Sequence, residues 1–240
     1  MNEYDKSKFV VLLSAGPTAR RIKKSSEYYT CGVNVTPKLI EKTDFWVVND
    51  ACYFKDFSEE ELKKIENLAL PEFPHTVNGV DMKPQPDMNY EKVTNSLPRN
   101  ICVHPFNIHT SRKFDLPYDP NIFYFETRSS NESAVRWLLH KGFRNFISLG
   151  QDPQGSYHKK MFSRPTRSGG HESIDKPLDN DRYAMVQERI KNAINEKQAL
   201  MIRLVLPDEC AFDENSLKKC THLMGKEGYY EIEVNDNESR

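Results

Sequence analysis

Short, uninterrupted apolar runs constrain this chain more than any other feature. Phe9-Val10-Val11-Leu12-Leu13, Phe45-Trp46-Val47-Val48, Ile122-Phe123-Tyr124-Phe125, Phe146-Ile147-Ser148-Leu149 and Leu200-Met201-Ile202-Arg203-Leu204-Val205-Leu206 carry almost no polar alternation. A strand with one wet face alternates. A run apolar on both sides needs cover on both faces, as in a parallel sheet between layers of helix. Helical patterns separate the runs. Ser58 with Glu61 forms a capping box ahead of a helix over 58–68, with Leu62, Ile65 and Leu68 on one face. A second helix over 131–141 buries Ala134, Val135, Leu138 and Leu139, and Gly142 is placed to end it. A third, over 182–196, buries Met185, Val186, Ile190 and Ile194. This alternation predicts an α/β fold with a doubly wound, mostly parallel, Rossmann-like sheet.

The remaining pattern fills in that frame. A polar helical stretch is expected over 19–26, a strand over 29–35, a short helix over 37–41 and a strand over 101–103. At 240 residues the chain suits one domain over 1–240. Proline-rich, aperiodic sequence over about 71–98 reads as an irregular insertion, and the glycine- and serine-containing stretch over about 151–179 as a flexible lid loop. The acidic tail after Tyr230 is expected to fray.

Charge and composition exclude several function classes. Lys and Arg total 34 against 35 Asp and Glu, so no global field attracts nucleic acid or an anionic membrane. No apolar run reaches the ~18–20 residues of a membrane span, and the first residues, Met1-Asn2-Glu3-Tyr4-Asp5-Lys6, lack the apolar stretch expected of a signal peptide. The five cysteines are odd in number and form no Cys-x-x-Cys pair, and four sit in or beside apolar runs as small core residues. The expectation is a reduced, cytoplasmic protein without an integral membrane segment.

Sheets of this kind bind ligands at the carboxyl ends of their strands. The first strand ends in Ser14-Ala15-Gly16-Pro17-Thr18, where glycine permits close backbone approach and a following helix would present N–H groups to phosphate. The segment matches neither G-x-G-x-x-G nor the phosphate-binding G-x-x-x-x-G-K-[ST] loop, and an ordinary tight turn capped by Thr18 reads equally well. Other strands end in Asn34, in Asn49-Asp50 and in Gly150-Gln151-Asp152. Asparagine both donates and accepts, which suits a base edge or a sugar hydroxyl, and it also serves as a turn former. The lid carries Tyr157, His158, Lys159, Lys160, Arg164, Arg167 and His171. Cations and a phenol there suit a phosphate leaving group, a histidine suits proton abstraction, and a solvated basic loop is the plain alternative.

On these residues the chain resembles the bacterial family-42 sialyltransferases, from Phe9 to about Asp208. The similarity lies in Gly16-Pro17-Thr18, the strand-end Asn34 and Asn49, and the turn Ser129-Ser130-Asn131. It continues in Gly150-Gln151-Asp152, Gly155-Ser156-Tyr157, Gly170-His171 and Leu206-Pro207-Asp208. A second phosphate-binding tyrosine of that family is missing near Pro153-Gln154, and its glycine in the nucleotide-contacting turn is replaced by Asn131, so the donor could differ from CMP-sialic acid.

The resemblance implies an inverting glycosyltransferase that moves a sialic-acid-like or other sugar from a nucleotide-activated donor to a hydroxyl. Gly16, Pro17, Thr18, Asn34, Asn49, Ser129, Ser130, Asp152 and Asp208 would bind the donor nucleotide. Tyr157, Lys159 and Arg164 would bind its phosphate, and His171 would be the general base, with His158 next in line. No metal or further cofactor is required in that scheme. A CMP-sugar or similar nucleotide sugar is the co-substrate and a saccharide or other hydroxyl bearer the acceptor, a modified DNA base included. Two alternatives stay open. A related scaffold, the archaeal-type hydroxymethylpterin diphosphokinase, would be a magnesium-dependent pyrophosphokinase reading Asp50 and Asp152 as metal ligands. A non-catalytic nucleotide- or sugar-binding module would need no base at 171.

Overall fold

The structure, a computed structural model, describes residues 4–72, 94–108, 119–152, 164–165, 171–172, 180–207 and 210–234. Its centre is a nine-stranded sheet in the order β11-β10-β7-β1-β2-β3-β4-β5-β6, and every neighbouring pair is parallel. The strands are β1 (Phe9–Leu13), β2 (Tyr28–Val33), β3 (Thr43–Val47), β4 (Ile65–Pro71), β5 (Cys102–Ile108) and β6 (Tyr124–Phe125). Beyond them come β7 (Asn145–Leu149), β10 (Leu200–Val205) and β11 (Gly228–Glu233). A separate two-stranded antiparallel ribbon, β8 (Arg164–Pro165) with β9 (His171–Glu172), lies within the stretch expected to be a lid. The rest of that stretch, like 73–93 of the expected insertion, falls outside the described residues. The fold is α/β, doubly wound and Rossmann-like, with chain order reversing at β1, between β7 and β2.

The two sheet faces are covered differently. Helices α2 (Ser130–His140) and α3 (Asn180–Glu196) pack on one face, against Val10, Leu12, Val33, Phe45, Val47 and Met201. The other face is covered by irregular crossovers, by the single turn α1 (Glu59–Leu62), by 3-10 turns over Thr36–Leu39 and Ala51–Asp56, and by α4 (Glu214–Thr221). Side-chain caps start α1, α2 and α4. Ser129 Oγ accepts from Glu132 N on α2, and Asp213 accepts from Asn215 N and Ser216 N on α4. Gly142, at φ +93°, follows the end of α2 as expected.

Several expectations are corrected. The capping box at Ser58 and Glu61 forms, but the helix stops at Leu62 and Ile65–Pro71 becomes β4. The spacing of 62, 65 and 68 fits a helix face, yet the continuing run Leu68-Ala69-Leu70 is buried with ladder partners on both sides, β3 and β5. Non-local pairing overrides the local period. No helix forms over 19–26. With Ala19 and Ile22 its only buried apolar residues, the stretch has too narrow an apolar face, and its backbone pairs outward instead. Ile22 N donates to Leu39 O, Glu41 N to Ile22 O and Phe212 N to Arg21 O. The acidic tail is ordered through Glu233, because Tyr230–Glu233 pair with β10 and Glu231 meets Arg203. Met185 is exposed, lying about 100° around α3 from the Val186, Ile190 and Ile194 stripe. Cys31 and Cys220 are buried, whereas Cys102 and Cys210 are exposed. Burial pushes the Cys220 thiol up to about 12, the state of an inert core thiol. No described helix is long and apolar enough to cross a membrane.

Candidate functional site

The carboxyl ends of β7, β1, β2 and β3 lie side by side along one sheet edge. Leu13 is paired with Leu149 and with Gly32, and Val33 with Val47. Thr36 Oγ1 donates to Leu13 O and Val33 N donates to Thr36 Oγ1, which ties the ends of β1 and β2 together. The N-terminus of α2 joins the same edge, since Ser14 Oγ donates to Asn131 Oδ1 at 3.0 Å. Topology thus brings Gly16, Pro17, Thr18, Asn34, Asn49, Ser129, Ser130 and Asp152 to one edge of the sheet.

At the switch point the protein fills its own crevice. Asp152 Oδ2 accepts from Thr18 N at 2.8 Å, and Oδ1 accepts from Thr18 Oγ1 at 2.7 Å and from Arg203 Nη2 at 2.8 Å. Gly16 N donates to Gly150 O, and Thr18 Oγ1 accepts from Gly150 N. A Cβ on Gly16 would overlap both Asp152 Oδ2 and the Gly150 carbonyl, so the glycine is required by the chain's own packing. The Asp152 carboxylate takes the Thr18 N–H that a phosphate would seek at such a turn. No helix follows to add further free donors.

The charges around this turn are paired, with the buried Arg203 Nε alone lacking a partner among the described residues. Arg203 is 8 % exposed and bridges Asp152 to Glu231. Burial alone lowers the guanidinium pKa, but the hydrogen bonds from Asp152 and Glu231 outweigh it and hold the pKa above its ordinary value. Arg20, 5 % exposed, donates from Nε to Pro207 O and from Nη2 to Leu206 O, clamping the turn to the end of β10. Sequence reasoning passed over both arginines. The signal for Arg203 was there: it is the only charge in the run over 200–206.

The neighbouring strand ends are different. Asn49, just past β3, is 4 % exposed and its Oδ1 has no hydrogen-bond partner among the described residues. Asn34 follows β2 in a left-handed conformation, φ +51°. Its backbone carbonyl accepts from Trp46 Nε1 at 2.8 Å, while its buried Oδ1 is likewise unpartnered. Asn107 in β5, fully buried, repeats the pattern: Nδ2 donates to Asp119 O and Oδ1 is unmatched. Buried amide oxygens are nearly always satisfied, so this series calls for an explanation. Asn107 lay inside a strand whose extent the sequence understated, and no signal singled it out.

The other sequence-derived residues divide plainly. Ser129 is the N-cap of α2 and Ser130, the first helical residue, is nearly buried. Tyr157, His158, Lys159 and Asp208 lie outside the described residues. For Arg164 and His171 the backbone is described, in the two facing strands of the ribbon: Arg164 pairs with Glu172 and His171 with Pro165. Asp50 precedes the 3-10 turn over Ala51–Asp56, and Asp152 is already engaged by Thr18 and Arg203. Among the described residues no three His, Cys, Asp or Glu gather where they could hold a metal ion. No family model matches the chain, and comparison with curated proteins and with solved structures gives no significant match.

Proposed function

We propose that this protein binds a nucleotide-activated sugar at the carboxyl ends of β2 and β3, beside the filled switch point, and transfers the sugar to an acceptor hydroxyl. The observation that carries the binding half is the pair of buried, unpartnered Oδ1 atoms of Asn49 and Asn34. Each is an acceptor whose desolvation is unrepaid until a ligand donor arrives, an imbalance of about 1–3 kcal/mol per group. Amino groups of a base and hydroxyls of a ribose or hexose supply such donors.

The transfer half rests on the resemblance set out above. The acceptor oxygen attacks the anomeric carbon and the bond to the donor phosphate breaks. His171 takes the hydroxyl proton, while Tyr157, Lys159 and Arg164 offset the charge appearing on the departing phosphate. Asp152 and Thr18 act on this site through the turn they hold.

A panel of CMP-, UDP- and GDP-sugars, with the free nucleotides, tests the reading by thermal shift and by nucleotide release. At about 100 times its dissociation constant a true ligand stabilises the fold by ~2.7 kcal/mol. His171→Ala should lower turnover ~10²–10⁴-fold with binding retained. Binding without release of nucleotide to any acceptor would mean a binding module. A panel with no stabilising member would sink the site itself.

A further inference from the structure

A cavity of about 240 Å³ opens far from that edge, between β6 and the C-terminal turns of α2 and α3. The N-terminus of α2 is tied to Ser14, and its 11 residues rise about 16 Å before His140 reaches this cavity. Phe125, Leu139 and Ala193 supply an apolar lining, each no more than 6 % exposed. Phe123 also lines it, stacked on the His140 ring at 3.8 Å between centroids and 7° between planes. Flat, apolar and preformed, this part of the wall suits a ring.

The polar part of the lining is cationic. Arg136 is anchored through Nε to the buried Glu132 at 2.9 Å. Arg144 is anchored through Nη1, which donates to the carbonyls of Leu139 and Phe143 at 2.9 and 2.8 Å. Each guanidinium is thus fixed by one nitrogen, and its remaining nitrogens make no hydrogen bond among the described residues. Two pre-positioned forks of this kind match the oxygens of a phosphate or carboxylate. Lys197 adds a third cation to the lining and Glu196 a carboxylate. Within the lining three cations, Arg136, Arg144 and Lys197, stand against one carboxylate, Glu196, and two positive charges are left over; Glu132, outside the lining, is shared between Arg136 and Arg189.

We propose that this cavity is a second ligand site, for a small aryl or heteroaryl phosphate. The ring lies on the Phe123, Phe125 and Leu139 wall, and the dianion is held by Arg136, Arg144 and Lys197. The residual double charge favours a phosphate over a carboxylate, and the small volume limits the ligand to about one ring system with its phosphate.

Calorimetric titration of the full chain with phenyl phosphate, benzoate, phenol and inorganic phosphate tests this, with amide shifts mapping where each binds. Phenyl phosphate should bind at one site, moving the amides of Phe125, His140 and Lys197, and more tightly than the other three probes. Exposed Lys197→Glu should weaken it about tenfold or more, and Arg136→Gln should do so too, while Asn49→Ala leaves it unchanged. Any of four results would overturn the proposal. Phenyl phosphate could fail to saturate, its shifts could map to Asn34 and Asn49, Lys197→Glu could bind it at full strength, or benzoate or inorganic phosphate could equal it.

Discussion

The turn at Gly16 and the strand ends at Asn34 and Asn49 sit side by side on one sheet edge, yet their polar atoms are treated in opposite ways. At the turn, Asp152, Thr18, Arg203 and Glu231 are joined in one network in which both Asp152 oxygens are engaged and only the buried Arg203 Nε is left over among the described residues, and a glycine is demanded by the carboxylate packed against it. One and two strands along, at Asn34 and Asn49, a buried amide oxygen apiece is left over among the described residues. A closed network holds a fold together, and an open one is where a ligand completes the bonding. The topological switch point is the usual place to look for a ligand in a doubly wound sheet. In this chain the protein's own carboxylate occupies it, and the open acceptors are displaced towards β2 and β3.

The largest effect that could break this comparison is Asp152→Ala. If the network is structural, the substitution strands Arg203 beside Glu231 alone and costs about 3–5 kcal/mol in denaturant unfolding. A loss under about 1 kcal/mol, with ligand binding abolished, would make Asp152 a ligand contact and erase the distinction. Gly150→Ala comes next. Gly150 has φ +69°, and a Cβ there would overlap Ser14 O, so a loss of about 2–3 kcal/mol is expected by the same measurement.

Asn49→Ala sharpens the other side. Because its Oδ1 makes no bond, removing it should change stability by less than about 1 kcal/mol in either direction. The stabilisation conferred by the cognate nucleotide should fall at the same time. Equal loss of stability at Asn49 and Asp152 would show the asparagine to be structural.

The smallest effect is a pH dependence. His104 Nε2 lies 3.0 Å from Asn67 Oδ1, and burial, with Lys141 nearby, holds its pKa below the ordinary 6.5. The unfolded chain therefore takes up a proton more readily than the folded one as pH falls through 6.5. Stability from this group is complete above that pH and declines below it. His140, lowered by burial and by Lys141 and Lys197, adds in the same direction. Unfolding curves at pH 7.5 and 5.5 should differ accordingly, and less so for His104→Gln. The Asp44 carboxyl, raised by burial, works the opposite way nearer pH 4, where a protonated carboxyl favours the folded chain.

How much of this could be read from the residues differs from place to place. The apolar runs at Phe9–Leu13, Asn145–Leu149 and Leu200–Val205 are strands, paired in parallel as their unbroken hydrophobicity required. The strand-end asparagines were legible as polar residues following such runs. Their unpartnered state was not, because it depends on which groups fail to approach. The same holds for Asp152, which read equally as a ligand contact before Thr18 and Arg203 were seen around it.

Sequence by itself determined the features whose causes lie within a few residues. The capping box at Ser58 and Glu61, the glycine after α2 and the two-faced burial of the strand runs belong here. Tertiary structure alone decided whether Ile65–Pro71 would be helix or strand and whether residues 19–26 would coil or pair. It also decided that the acidic stretch after Tyr230 would join the sheet. Those outcomes turn on partners distant along the chain, on β3 and β5, on Leu39 and Phe212, and on Arg203. Local propensities differ by only about 1 kcal/mol, so a full set of ladder bonds is enough to overrule them.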